Sequence, residues 1–356
     1  MRLFKRSRQL HAGLIFLMLT LSALAVMGCT SEKDSTEAAF APKQGDLTLV
    51  VGAYSVAKDA MEEILPLFAA KWKADTGQTI DFQQSYEASG TQARAIAGGF
   101  EADVTLLAME GDIEKLVKAG LVQPNWKDHG EGGMVTRSVV ALGTREGNPK
   151  GIHDFDDLAK PGVKVLYPNP KTSGGAQWDI NAIYGAGLKQ SEELKGVKDP
   201  VIAKAFLESV HANVESLDKS GRASMAAFEY GVGDVIVTYE NELLARIAKG
   251  IKYEIIIPNN TILIENPAAV VDKYVDERGT REASEALVNY LVTSEAQEVF
   301  AKHGFRPVDE KVYAENESRY PVPDGLFDIK YLGGWDEVRS TLYSKRGIWY
   351  QVLAGI

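Results

Sequence analysis

Residues 163–184 read VKVLYPNPKTSGGAQWDINAIY, and this stretch shows how the chain is built. Residues 163–167 form a short apolar run, which is typical of a buried strand. PNPKTSGG (168–175) is rich in turn-forming residues and predicts a loop, and residues 176–184 are predicted as a helix. When this order repeats along a chain, the strands are expected to pair in parallel in an α/β fold.

The same order recurs on both sides of this stretch. Further strands are predicted at 47–53, 79–84, 104–108, 213–217 and 235–239. Helices are predicted at 57–74, 91–97, 112–118 and from Ser220 to about residue 230. The first helix has one apolar face, formed by Met61, Ile64, Leu65, Phe68 and Trp72.

Two long aliphatic stretches, 135–142 and 253–264, lack the helix that follows the other strands. We expect them to be strands that cross between two lobes. Lobe 1 then consists of 46–137 and 263–315, and lobe 2 of 138–262. The remaining residues, 316–356, carry several aromatic side chains and are predicted to pack on the body as a C-terminal tail.

Composition excludes several classes of protein. A chain of 356 residues with 45% hydrophobic and 25% charged residues is neither disordered nor collagen-like nor a multi-span membrane protein. The net charge of -10 argues against a nucleic acid partner, because duplexes are usually bound by a basic patch. A single cysteine excludes a disulfide framework and a Cys-rich zinc module.

The N-terminus has the pattern of a secretory signal, predicted here to be residues 1–28. Four basic residues precede the apolar run 14–26, which is shorter than the roughly 20 residues of a membrane span. The run ends in Gly28-Cys29, which resembles a bacterial lipobox, and so Cys29 is predicted to be lipidated. The alternative is a plain secreted protein with an incidental thiol. Residues 29–45 are polar and aperiodic and predict a flexible tether.

Four predicted strand-to-helix junctions are rich in serine and glycine. They are Tyr54-Ser55, Ala88-Ser89-Gly90, 171–175 (KTSGG) and Ser220-Gly221-Arg222. Ligands of open α/β sheets bind at the carboxyl ends of strands, where helix N-termini offer free N–H groups to anions. The alternative interpretation is that these serines and glycines only cap helices and form turns. None of the junctions is a P-loop.

These segments resemble bacterial sulfate-binding proteins, the periplasmic receptors of ATP-driven sulfate and thiosulfate importers. The resemblance spans about residues 47–335. The segments that carry it are VGAYSVAKDAM (51–61), QQSYEASGTQA (83–93), FEADVTLLA (100–108), KGIHDFDDLAKPGVKVLYPNPKTSGGAQW (150–178), GVGDVIVTYENE (231–242), AAVVDKYV (268–275) and LGGW (332–335).

The resemblance implies a fold and a function. The fold would be a two-lobed, type II periplasmic-binding-protein fold with α/β lobes and the ligand in the cleft between them. The protein would be an extracytoplasmic monomer that closes over sulfate, or thiosulfate, and delivers it to a membrane permease driven by a companion ATPase. No catalysis, cofactor or metal is expected.

The resemblance also implies a site made of neutral donors. It assigns to the anion the amides of Ser55, Ser173, Gly174, Gly175 and Gly221, the hydroxyl of Ser89 and the side chain of Tyr239. Arg222 matches an arginine that supports the site from behind. The chain departs from the family at Tyr239, where a tryptophan is usual, at Tyr86-Glu87-Ala88, where His-Gly-Gly is usual, and at Ser55, where an aspartate is usual. If Glu87 or Tyr239 accepted a proton, phosphate would be favoured over sulfate; molybdate is a further alternative.

Other classes of function are less well supported by the sequence. The histidines at 11, 129, 153, 211 and 303 are scattered, and no HExxH, GxSxG or GxGxxG pattern occurs. A secreted hydrolase would therefore lack a recognisable nucleophile, base and metal set. His153-Asp154-Phe155-Asp156-Asp157 is interpreted as a helix start with acidic first-turn residues rather than a metal site. A purely adhesive or scaffolding lipoprotein would bind no anion saturably.

Overall fold

The computed structural model describes residues 46–356. The predicted signal peptide, Cys29 and the tether 29–45 lie outside the described residues. The strands are β1 (Leu47–Tyr54), β2 (Ile80–Glu87), β3 (Val104–Leu106), β4 (Met134–Arg145), β5 (Val165–Pro168), β6 (Val214–Asp218), β7 (Val235–Tyr239), β8 (Tyr253–Ile256) and β9 (Leu263–Val270).

Thirteen α-helices surround these strands within the described part of the chain. They are α1 (Lys58–Thr76), α2 (Ser89–Ala97), α3 (Glu110–Lys118), α4 (Gly174–Lys195), α5 (Pro200–His211), α6 (Gly221–Glu229), α7 (Glu240–Ile247), α8 (Asp272–Arg278), α9 (Arg281–Tyr290), α10 (Ser294–Lys302), α11 (Glu310–Asn316), α12 (Gly334–Thr341) and α13 (Ile348–Ala354). Short 3₁₀ helices cover Ser55–Ala57, Trp126–Asp128, Phe155–Ala159, Glu317–Arg319 and Ile329–Leu332.

The strands form one path in the order β2-β1-β3-β9-β4-β7-β5-β6, and β8 pairs with β4. The pairs near the two ends of this path, β2-β1-β3 and β7-β5-β6, are parallel, as the alternation of strands and helices predicts. The pairs at the centre are antiparallel. Each parallel end therefore presents the carboxyl ends of its strands to one edge, where the predicted junctions lie.

Two long strands connect the parallel ends of the path. The first part of β4 pairs with β9, whereas residues 140–145 pair with β7 and β8. Likewise β9 pairs with β4 near its start and with β3 at its end. The predicted stretch 135–142 lies within β4. The second predicted stretch, 253–264, is not one strand: β8 ends at Ile256, and β9 begins only at Leu263. Pro258 lies in the interruption and cannot donate to a strand ladder.

The core follows the predicted helical faces. The predicted apolar face of α1 is buried, as are the sheet residues that it covers. Each large aliphatic side chain buried in this way contributes about 1.5–3 kcal/mol. The C-terminal segment also packs on the rest of the chain: the rings of Trp335 and Trp178 meet edge-to-face with their centroids 4.9 Å apart. No helix among residues 46–356 is both long and apolar enough to cross a membrane.

Candidate anion-binding site

The four serine- and glycine-rich junctions meet around one small cavity. Its lining residues are Tyr54, Ser55, Val56, Ala88, Ser89, Ala108, Pro168, Ser173, Gly175, Asp179, Ser220, Gly221, Thr238 and Tyr239. The cavity volume is about 20 Å³, where a single water needs about 10–15 Å³ on the same measure. The lining residues include no lysine, arginine or histidine. The structure thus brings together six of the seven predicted anion ligands, and Gly174 lies beside them at the start of α4.

Two helices begin at the cavity with the same cap. Ser173 precedes α4 and its Oγ accepts a hydrogen bond from the N–H of Ala176, 3.2 Å away. Ser220 precedes α6 and caps it in the same way through the N–H of Ala223. These caps satisfy the third N–H group of each helix. The first two N–H groups of each helix have no partner within the helix and are available to a ligand.

One predicted donor is already engaged. The N–H of Ser173 donates to the carbonyl oxygen of Asn169 at 2.9 Å, which closes the loop before α4. In α4 the donors that remain at the cavity are therefore the N–H groups of Gly174 and Gly175. The Oγ of Ser173 accepts the capping hydrogen bond from Ala176, and the hydroxyl proton of Ser173 remains free to donate.

The hydroxyl of Ser89 bonds to two neighbouring residues in the structure. Its hydroxyl donates to Oδ2 of Asp112 at 2.6 Å and accepts from the N–H of Ala108 at 2.9 Å. A hydroxyl has one proton, so the side chain has no further donor for an anion in this arrangement. The N–H of Ser89, the first of α2, has no partner within the helix and is the donor that this residue leaves for a ligand.

Gly174 permits two sides of the cavity to meet. A Cβ atom placed on Gly174 would lie 3.0 Å from the Cβ of Ala108 and 3.1 Å from the Cβ of Ser89. The same atom would lie 3.2 Å from Oδ2 of Asp112. Only a residue without a side chain lets the start of α4 approach these groups so closely.

Tyr239 lies inside the cavity with an unpaired hydroxyl. The residue is 3% exposed, and its hydroxyl lies near the side chain of Asn266 but forms no hydrogen bond of acceptable distance and angle among the described residues. A Cβ atom on Gly175 would lie 3.8 Å from Cζ of Tyr239, so the phenol lies beside the first turn of α4. Burial holds the pKa of the Tyr239 phenol well above its usual range, so the group stays protonated and can donate.

Glu87 lies away from the cavity. It is the last residue of β2, it is exposed, and it does not line the cavity. This position agrees with the interpretation of Glu87 as a solvent-facing side chain rather than a proton acceptor for the ligand.

Arg222 also lies outside the cavity lining and bonds to the backbone of two lining residues. Its Nη2 donates to the carbonyl oxygens of Ser55 at 3.3 Å and Val56 at 3.4 Å. Its guanidinium lies 3.5 Å from a carboxylate oxygen of Asp59 and 3.6 Å from one of Glu242. Arg222 thus connects the start of α6 to the backbone that follows β1.

The acidic segment after residue 153 caps a helix. The Asp154 side chain accepts from the N–H of Phe155, while the Asp157 side chain accepts from the N–H groups of His153 and Asp154. This capping box starts the 3₁₀ helix Phe155–Ala159. The interpretation of this segment as a helix start is confirmed, although the helix is 3₁₀ rather than α.

Comparison with protein families now identifies the chain. Residues 49–306 match the family model described as bacterial extracellular solute-binding protein. The chain belongs to this family. A sulfate-binding protein of Synechococcus elongatus is 42% identical over 94% of this chain and 95% of that protein. A thiosulfate-binding protein of Pseudomonas aeruginosa is 34% identical over 84% of this chain and 90% of that protein.

The same likeness holds in three dimensions. The sulfate-binding protein SubI of Mycobacterium tuberculosis aligns with a TM-score of 0.76 and 34% identity, covering 84% of this chain and all of SubI. This solute-binding protein thus has the α/β, two-lobed type II fold of periplasmic binding proteins that the sequence predicts. The positions of the lobe boundaries stay a prediction.

One acidic lining residue of this solute-binding protein is missing from the sequence prediction. Asp179 lies on α4, four residues after Gly175, and is 1% exposed. In the sequence it stands within the helical stretch QWDINA, where a polar residue is usually on a solvated face. The spacing of four from Gly175 was the available signal, because residues four apart share one face of a helix.

Replacing Arg222 by glutamine should weaken anion binding by about tenfold. The change removes the guanidinium donors that bond to the two carbonyl oxygens after β1. A hydrogen bond that involves a charged group contributes about 1.5–3 kcal/mol, and the glutamine amide should restore part of this loss. Calorimetric titration measures the change. Arg281→Gln, which removes an equally charged but remote ion-pair cluster, is the control. An affinity of Arg222→Gln equal to that of the control would show that Arg222 does not support the site.

Proposed function

We propose that this protein is the extracytoplasmic receptor of an ABC importer and that it binds sulfate, with thiosulfate as the second candidate. The observation that carries the proposal is the convergence of the N-termini of α2, α4 and α6 on one small cavity that lacks cationic side chains. The names of the similar proteins, sulfate-binding and thiosulfate-binding, support the choice of ligand.

The donors in the cavity suit a fully deprotonated anion. The helix starts offer unpaired N–H groups, and the phenol of Tyr239 adds a neutral donor. A hydrogen bond to a charged acceptor contributes about 1.5–3 kcal/mol, so five or more can replace the hydration of a dianion. The positive ends of three helix dipoles add to this attraction even though the whole chain has a net charge of -10.

Transport requires the receptor to change shape. We infer that lobe 1 (46–137 and 263–315) and lobe 2 (138–262) close over the anion by bending at β4 and β9, as hinged receptors do. The closed form would then dock on the membrane permease as a monomer, without catalysis.

We also propose that Cys29 carries a lipid anchor and that residues 29–45 are its tether. The signal pattern supports this proposal. Mass spectrometry of the mature N-terminus tests it: an acylated Cys29 is expected, whereas an unmodified cysteine would contradict the anchor.

Calorimetric titration tests the choice of anion. The mature protein is freed of bound sulfate by dialysis and titrated with sulfate, thiosulfate, phosphate and molybdate at pH 6 and pH 8. We expect tight binding of sulfate and no heat from phosphate at either pH, because hydrogen phosphate would place its proton against a donor. Preference for phosphate would overturn the choice of anion. Absence of heat from all four would overturn the receptor function.

A further inference from the structure

Asp179 places a carboxyl group in the wall of the anion cavity. It is the sixth residue of α4, 1% exposed, and it lies one turn below Gly175 on the same helix face. Its Oδ1 is buried and has no hydrogen-bond partner among residues 46–356. In a folded protein an unpaired buried carboxyl oxygen is costly, and its presence beside a ligand cavity points to the ligand.

The groups that face Asp179 are neutral. Three phenols lie close enough for a charge on Asp179 to raise their pKa values: Tyr167 in β5, Tyr239 at the end of β7 and Tyr343 in the C-terminal segment. His211 bonds to the hydroxyl of Tyr167, and burial lowers the pKa of His211, so this ring is neutral at pH 7. Among the described residues, no lysine, arginine or histidine forms an ion pair with Asp179.

The hydroxyls of Tyr343 and Tyr167 bond to residues other than Asp179, so a bound ligand is the partner that remains for the Asp179 carboxyl group. The hydroxyl of Tyr343 donates to the Gln177 carbonyl or to Asn181 Oδ1, and the hydroxyl of Tyr167 bonds to His211. The hydroxyl of Tyr239 is itself unpaired and lines the same cavity. Among the fully buried side-chain atoms of the lining residues, those without a partner are therefore Oδ1 of Asp179 and the hydroxyl of Tyr239.

The charge of Asp179 decides whether this residue repels an anion in the cavity or binds it. An ionised carboxylate would repel a dianion and would accept a proton from hydrogen phosphate. A neutral carboxylic acid would instead offer an O–H donor. Burial without a cation holds the pKa of Asp179 well above its usual range, which favours the neutral form at pH 7.

We propose that Asp179 is protonated when the anion is bound and donates a hydrogen bond to it, so that this residue adds a donor rather than a negative charge to the cavity. This inference rests on the proposed function. It assigns to an acidic residue the role of a neutral donor, alongside Tyr239 and the N–H groups of the helix starts.

Two measurements on the mature protein test this assignment. In infrared difference spectra of the sulfate complex at pH 7, wild type minus Asp179→Asn, we expect the C=O band of a protonated carboxyl group. Its absence would overturn the proposal. Other buried carboxyl groups are present in both proteins and cancel in this difference. Glu87 is an exposed carboxyl group near the same junction, and the difference spectrum of wild type minus Glu87→Gln should show no such band.

Calorimetry supplies the second measurement. Asp179→Leu, which keeps the approximate volume but removes the donor, should weaken sulfate binding at least about tenfold, and Asp179→Asn should weaken it less. Glu87→Gln should bind as the wild type does. An unchanged or tighter affinity of Asp179→Leu would overturn the proposal. If the wild type itself binds none of the four oxyanions, the proposed function fails instead, so the two failures are distinguishable.

Discussion

Gly174→Ala should weaken sulfate binding about ten- to hundredfold while leaving the protein folded. The added methyl group would lie 3.0 Å from the Cβ of Ala108 and 3.1 Å from that of Ser89. Neither Cβ atom can rotate away, because both are fixed by the backbone. The start of α4 must therefore move back from α2, which lengthens the hydrogen bonds that both helices offer to the anion. Overpacking of this kind costs about 1–3 kcal/mol, which corresponds to the expected loss in affinity.

Gly221→Ala is the matched comparison. Gly221 also begins a helix at the cavity, but the nearest atom to an added Cβ is the Val56 Cγ2 at 3.6 Å, an ordinary contact. We expect this variant to lose at most about threefold in sulfate affinity, because its N–H group is kept and its methyl group has room. Calorimetry measures both variants. Equal losses of sulfate affinity in the two variants would show that anion binding does not depend on the close approach at Gly174.

The elements around the site were predictable because their signals are local. The strands β1, β2, β5 and β6 and the serine- or glycine-containing junctions after them lie within a few residues of each other. A strand that ends at one edge and a helix that begins there fix the position of the junction without knowledge of distant contacts. The sequence therefore predicted which backbone segments meet at the cavity.

The roles of individual side chains were not predictable in the same way. The hydroxyl of Ser89 donates to Asp112, a residue 23 positions further along the chain, and this contact exists only after α2 and α3 have packed. Asp179 is buried, and it lies near Tyr167, Tyr239 and Tyr343, which come from three separate parts of the chain. Such tertiary contacts leave no pattern in a local stretch of sequence.

The misplaced crossing strand has a different cause. Residues 253–264 contain two aliphatic runs, 255–257 and 262–264, and together they were interpreted as one long strand. Pro258 and the following Asn259-Asn260 are turn-forming residues within it, and they end β8 and delay β9. The sequence therefore contained the turn signal, but the prediction followed the hydrophobic residues on either side of it.

Arg306→Met should destabilise the protein by about 3–5 kcal/mol at pH 7. Arg306 forms a bidentate pair with Glu240, the first residue of α7, with N–O distances of 2.7 and 3.0 Å. Both side chains are almost fully buried. Without the guanidinium, Glu240 becomes an unpaired buried carboxylate, which is far more costly than the loss of one hydrogen bond. Urea denaturation measures the change in the free energy of unfolding.

The pH dependence of this loss has a definite sign. Burial already raises the pKa of Glu240, although Arg306 opposes the rise, and removal of Arg306 should raise it further. A group whose pKa is higher in the folded state than in the unfolded state favours folding at low pH, and this contribution is lost as the pH rises through the folded-state pKa. The destabilisation of Arg306→Met should therefore be smaller at pH 5 than at pH 7.

Two further variants separate the buried charge from the rest of the contact. The double variant Glu240→Gln with Arg306→Met removes both charges and should lose less stability at pH 7 than Arg306→Met alone, because no ion remains unpaired in the interior. Lys252→Met removes an exposed pair with Glu146 and should change stability by no more than about 0.5 kcal/mol. If the double variant is less stable than the single one, the desolvated carboxylate is not the source of the loss, and the packing of Arg306 against its neighbours must account for it.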